Sequence, residues 1–122
     1  YRCVPSTAQF TDKGGTSGGV GIAWRCDSNA KVFNDIVPGR AAGALIHTAG
    51  GGDIMFISFY GHVSNIQQTQ DSLRTVCKFL CRTGKPFVIG GDFNVTPRKL
   101  HKYWSSSTCP TASWLLVTTR VY

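Results

Sequence analysis

Residues 86–97 read Pro-Phe-Val-Ile-Gly-Gly-Asp-Phe-Asn-Val-Thr-Pro, and this stretch does most to decide the fold. Its first part, Phe87 to Gly90, is a short apolar run that is typical of a buried strand. Two glycines end the run, at a point where a backbone can approach a ligand closely. Asp92 and Asn94 follow at i and i+2. An extended chain would therefore place both side chains on one face and turn Phe93 into the core.

The pair of polar residues after this strand suits phosphate-ester chemistry. A carboxylate such as Asp92 can hold a metal ion, or orient and deprotonate a water molecule. An amide such as Asn94 can donate a hydrogen bond to a phosphate oxygen as its charge builds. The alternative is a simple turn, because Asp and Asn both favour turns and helix N-caps.

The residues before this strand predict a helix from about 67 to 83. Leu73, Val76, Cys77 and Leu80 are spaced as i, i+3, i+4 and i+7, which forms one apolar stripe along a helix. Gly84 followed by Pro86 ends the helix.

Further strands are predicted on both sides of the helix. Upstream, residues 20–25, 31–37, 41–48 and 54–60 have strand character, and Pro38-Gly39 indicates a type II turn. Three or four such strands in succession predict an antiparallel meander. Residues 1–17 are polar and predict a loop, residues 98–104 a short helix, and residues 114–121 a last strand. The fold class is therefore α/β with mostly antiparallel strands.

Three motifs in this order resemble the endonuclease/exonuclease/phosphatase superfamily, which has the DNase I-like fold. Gly-Asp-Phe-Asn at 91–94 is similar to the family's Gly-Asp-x-Asn, which closes an inner strand, and residues 18–23 resemble its Gly-Gly-Val-Ala-Ile strand. The strand ending at Tyr60 resembles the one that ends in a functional Tyr. The resemblance covers roughly residues 14 to 100 and implies part of a four-layer α/β sandwich.

The resemblance implies a metal-dependent phosphodiester hydrolase, most similar to a nuclease such as a retroelement endonuclease. It implies Asp92, Asn94 and Tyr60 as catalytic residues, with Asp92 also holding Mg²⁺ or Mn²⁺. Arg98, Lys99 and His62 are expected to contact the substrate, and for His62 the alternative of an ordinary surface loop residue is favoured.

The chain departs from the family pattern in several places, including a missing early Asn motif and His62 at a position where the family usually has Pro. The family binds its metal mainly through an early Glu and ends in Ser-Asp-His. All six acidic residues here are Asp, and no His follows an Asp. Residues 1–122 are therefore expected to form a partial domain that is inactive as it stands. The alternatives are a remnant that binds nucleic acid without cleaving it, or one that completes its sheet with another chain or with a missing part of its own.

Charge and cysteine content suggest the partner and the compartment. The net charge is +7 with a pI near 9.5, which suits a nucleic acid, and DNA is expected ahead of RNA. The alternative is a solvated basic face. Five cysteines without a Cys-x-x-Cys pair favour a reducing, intracellular location, nuclear or cytoplasmic. No apolar run approaches the length of a membrane span.

Overall fold

A computed structural model describes residues 1–105 and 114–118, with side chains for residues 1–96 and 98–102. Within these residues a five-stranded sheet has the order β5-β6-β7-β8-β9, and two ribbons of two strands pair β1 with β4 and β2 with β3. The strands are β1 Arg2–Ser6, β2 Gln9–Phe10, β3 Thr16–Ser17, β4 Val20–Trp24, β5 Ala30–Val37, β6 Ala41–His47, β7 Asp53–Tyr60, β8 Phe87–Asp92 and β9 Trp114–Thr118. The helices are α1 Ile66–Thr83 and α2 Pro97–Ser105.

The meander predicted from the sequence is confirmed for β5, β6 and β7, which pair antiparallel. The turn at Pro38-Gly39 is also confirmed, because Gly39 has φ +65° and the Arg40 N–H donates to the Val37 carbonyl at 2.9 Å. The β4 strand forms as predicted, but it pairs with β1 and not with the meander.

Helix α1 crosses between β7 and β8 and makes these two strands parallel. The Asn65 side chain accepts from the Gln68 N–H and begins the helix, and Gly84 ends it in the left-handed conformation. The buried side chains of α1 include the predicted stripe Leu73, Val76, Cys77 and Leu80. The sheet then continues in parallel from β8 to β9.

Both faces of the sheet are covered near its centre. Met55, Ile57 and Phe59 are buried on one face, in a core that also holds Leu73 from α1 and Leu100 from α2. Ala42 and Ala44 point to the opposite face because side chains alternate along a strand. They are also fully buried, where the β1–β4 ribbon contacts β6. The described residues thus form three layers: helices, sheet and ribbon.

The loop predicted for residues 1–17 is wrong, since this segment contains β1, β2 and β3. Val4 and Ser6 point inward from β1, whereas Pro5 is exposed on a strand that pairs on one side only. An edge position tolerates proline because no ladder donor is needed there.

The α/β class and the mostly antiparallel pairing are confirmed. The predicted strand at 114–121 is observed over Trp114–Thr118, and residues 119–121 lie outside the described residues. In the described part of the chain, no helix is long and apolar enough to cross a membrane.

Candidate functional site

The predicted site residues Tyr60 and Asp92 lie side by side at one edge of the sheet. They are register partners at the carboxyl ends of the adjacent parallel strands β7 and β8. The Gly61 N–H donates to the Asp92 carbonyl at 2.7 Å, which continues the contact one residue beyond the ladder. Carboxyl ends of parallel strands are a common place for ligand sites, because the loops that follow them converge there.

Asn94 joins this edge through a turn. The chain is not extended at Asn94, since β8 ends at Asp92 and Asn94 has φ +51°. The Asp92 Oδ1 atom accepts from the Asn94 N–H at 3.1 Å, the hydrogen bond of an Asx-turn. The turn alternative is thus confirmed for the local backbone, and it brings the Asn94 side chain back toward β7.

The Asn94 side chain and the buried Phe93 hold the turn against the end of β7. Asn94 Nδ2 donates to the Gly61 carbonyl at 2.9 Å, which uses one of the two N–H donors of the amide. Phe93 is buried as predicted, with its ring 5.1 Å from that of Phe59. A Cβ atom on Gly61 would lie 2.0 Å from the Phe93 carbonyl oxygen. The two strand ends therefore approach closely only because residue 61 is glycine.

Arg40 is a member of this site that sequence reasoning missed. Its guanidinium lies 5.2 Å from the centre of the Tyr60 ring, and Nη1 donates to the Gly61 carbonyl at 3.2 Å. Arg40 and Asn94 therefore share one acceptor. Burial lowers the pKa of Arg40, but an arginine stays charged in proteins. The available sequence signal was a lone cation between the Pro38-Gly39 turn and the buried run that begins at Ala41.

His62 is half-buried in the loop between β7 and α1. Its N–H donates to Thr69 Oγ1 at 2.8 Å, and its Nε2 atom lies 3.4 Å from Ser72 Oγ. Burial, and then the positive charge of Arg40, lower the pKa of His62. The imidazole is therefore neutral at pH 7 and acts as a polar, uncharged group beside the site.

The basic residues near the motif divide between the two ends of the sheet. Arg98 and Lys99 are exposed in the first turn of α2, which follows the Asn94 turn directly. Lys85 lies at the opposite end, where its Nζ atom is 3.0 Å from Asp53 Oδ2. Of these three cations, Arg98 and Lys99 therefore come directly after the Asp92 site in the sequence, and Lys85 lies away from it.

The donor set at this edge contains one carboxylate. Among residues 1–105 and 114–118, no group of three His, Cys, Asp or Glu side chains gathers into a metal site. Asp92 can supply one ligand to an ion such as Mg²⁺, which keeps several waters and takes further oxygen ligands from substrate phosphates, and one carboxylate alone would hold such an ion weakly.

Comparison of the chain with protein-family models, curated protein sequences and solved structures finds no match. The functional interpretation therefore rests on the residues and their geometry.

Proposed function

We propose that the edge formed by Tyr60, Asp92 and Asn94 is the phosphodiester site of a metal-dependent, nuclease-like hydrolase. The observation that carries the proposal is the pairing of Tyr60 with Asp92 on parallel strands, with Asn94 bonded to the intervening Gly61. It places a phenol-bearing, a carboxylate-bearing and an amide-bearing residue on neighbouring backbone positions, and such groups can act as general base and as hydrogen-bond donors in the hydrolysis of a phosphate ester.

Each of these residues has a role in the proposed reaction. Asp92 orients a water molecule and accepts its proton, and the water oxygen bonds to phosphorus as the bond to the leaving ester oxygen breaks. The leaving oxygen takes a proton from solvent, and Asp92 returns its proton to solvent. Tyr60 and the second N–H of Asn94 donate to the non-bridging oxygens. Bound through Asp92, Mg²⁺ or Mn²⁺ would offset the charge that develops on the phosphate.

The charge of the neighbouring surface supports a nucleic acid as the substrate. Arg98 and Lys99 are exposed beside the Asn94 turn, and the net charge of the chain is +7. Such a surface attracts a polyanion and raises its local concentration. We propose DNA ahead of RNA, in an intracellular compartment.

The test is cleavage of a labelled DNA duplex and a labelled RNA of the same sequence by the 122-residue chain. Because these 122 residues contain neither a Glu nor an Asp-His pair, we expect at most residual cleavage, which requires Mg²⁺ or Mn²⁺, is abolished by EDTA and is faster on DNA than on RNA. Cleavage that persists undiminished in EDTA would contradict the metal-dependent mechanism.

A second candidate function is binding of nucleic acid without cleavage, which the exposed cations of α2 favour. The first turn of this helix carries no acidic residue to oppose Arg98 and Lys99. Binding whose affinity falls steeply with salt, with no cleavage at any metal concentration, would favour this candidate. Binding that is insensitive to salt would instead indicate that the chain adds a strand to a protein partner.

A further inference from the structure

A cleft of about 780 Å³ lies beside the Arg40 side of the candidate site. The β2–β3 ribbon, the turn at Pro38-Gly39 and the loop that leads into α1 enclose it. Its polar lining includes Lys13, Ser17, Arg40, His62, Asn65 and Gln68. None of the residues that line it is acidic, whereas Lys13 and Arg40 are both cations.

Arg40 is the central feature of this cleft because it is a buried cation without a carboxylate partner in the described residues. It is only 8% exposed, and the ion pairs found in that part of the chain involve other residues. Its Nη1 and Nη2 atoms donate to the Gly61 carbonyl and to Ser17 Oγ, both neutral acceptors. Burial of an uncompensated charge is costly, and an anion in the cleft would offset that cost.

The geometry of the guanidinium suits a phosphate group. Arginine has five N–H donors in a planar fork that matches phosphate oxygens, and the protein uses two of them here. Lys13 adds a second cation on the open side of the cleft, where it is exposed. The first turn of α1, which contributes Gln68, contains no acidic residue, so the positive end of the helix dipole is not opposed.

We propose that this cleft binds a phosphate group of the nucleic-acid strand next to the one at the Asp92 edge. Arg40 connects the two positions, because it shares the Gly61 carbonyl with Asn94. The inference rests on the proposed function for its choice of ligand. It adds a phosphate subsite that contains Arg40 and Lys13 to a site otherwise built from β7 and β8.

The first experiment measures the melting temperature of the chain with inorganic phosphate and with sodium chloride at equal ionic strength, in EDTA. We expect saturable stabilisation by phosphate beyond that by chloride. Lys13→Glu should weaken the apparent affinity at least tenfold. Lys78→Glu makes the same charge change on an exposed part of α1 outside the cleft and should leave the affinity within twofold. Equal melting temperatures in the two salts, or equal effects of the two variants, would overturn the inference.

A second experiment uses Arg40→Lys and a thymidine dinucleotide with a 5′-phosphate. The lysine keeps the charge but loses the fork, so we expect a weaker affinity by NMR titration, which reports only on folded molecules. The dinucleotide should bind more tightly than inorganic phosphate because it spans both positions. Tighter binding of inorganic phosphate would contradict a nucleic-acid subsite.

Asp92→Asn separates this inference from the proposed function. That variant should lose cleavage and keep the stabilisation by phosphate. If the chain binds phosphate through Lys13 but never cleaves nucleic acid, the proposed hydrolase function is contradicted and the phosphate subsite is not. Metal-dependent cleavage without phosphate binding in the cleft would contradict the subsite alone.

Discussion

Tyr60 and Asp92 occupy equivalent positions at the ends of two adjacent parallel strands, and the Gly61 N–H bonds to the Asp92 carbonyl at 2.7 Å. This relationship exists because α1 returns the chain to the start of β8, so that β7 and β8 end at the same edge. Their terminal side chains are thereby held by the sheet, and a site built on strands is more rigid than one built on loops alone.

Replacing Asp92 by Asn tests the carboxylate directly. The amide oxygen can still accept from the Asn94 N–H, so the turn should persist and the melting temperature should change little. Loss of the general base and metal ligand should lower the cleavage rate by about 10²–10⁴-fold. Asp27→Asn, at an exposed position that pairs with Arg25, is the matched control and should cleave at the rate of the unmodified chain.

Replacing Gly61 by Ala should destabilise the protein by about 1–3 kcal/mol, the usual cost of overpacking. The added Cβ atom would lie 2.0 Å from the Phe93 carbonyl oxygen, and backbone cannot move aside easily. Denaturation with urea measures the change. Gly50→Ala, whose nearest neighbour would be 4.0 Å away, should cost much less. If both variants unfold at the same urea concentration, the close approach of the two strand ends is wrong.

The stability of the protein should fall as the pH is lowered through about 6.5, the ordinary pKa of histidine. Burial lowers the pKa of His62 in the folded state, so the unfolded state takes up a proton first. The contribution of His62 to stability is therefore fully present above the ordinary pKa of histidine. It decreases as the pH falls below that value, until the histidine is protonated in the folded state as well. In His62→Gln, the free energy of unfolding should depend less strongly on pH between pH 7.5 and 5.5. An unchanged slope in this variant would contradict the assignment to His62.

Removing the two exposed cations of α2 should reduce the salt dependence of nucleic-acid binding. Each phosphate contact contributes about 0.9 to the slope of log affinity against log salt for duplex DNA. Arg98→Ala combined with Lys99→Ala should therefore lower the slope by about 2. Lys31→Ala with Arg25→Ala, which removes two exposed charges from other segments of the chain, should leave it nearly unchanged. If the slope falls equally in the two double variants, the protein attracts nucleic acid through its overall charge and Arg98 and Lys99 make no specific phosphate contacts.

The parts of the fold that the sequence predicted are those where a local pattern and the tertiary environment agree. The stripe from Leu73 to Leu80 has the helical period, and Gly84 with Pro86 can only end such a helix. The alternation of Met55, Ile57 and Phe59 likewise matches a strand with one face in the core. These signals need no knowledge of distant residues.

The features that were missed depend on distant contacts. β1 contains a single fully apolar inward residue, Val4, and becomes a strand because β4 offers it a partner. Asn94 leaves the extended conformation because its side chain finds the Gly61 carbonyl 33 residues away. Arg40 resembles any surface cation until the turn at Pro38-Gly39 places it over Tyr60. Long-range hydrogen bonds of this kind leave no periodic trace in a sequence.

The most direct test of the account is to locate a bound phosphodiester on the protein. A short thymidine oligonucleotide with phosphorothioate linkages, added without metal to the ¹⁵N-labelled chain, can be followed through its effect on amide chemical shifts. The account predicts that the largest changes occur at Gly61, Asp92, Phe93 and Asn94, and that the opposite end of the sheet near Asp53 and Lys85 changes little. Changes confined to that opposite end would contradict the claim that Tyr60, Asp92 and Asn94 form a phosphodiester site.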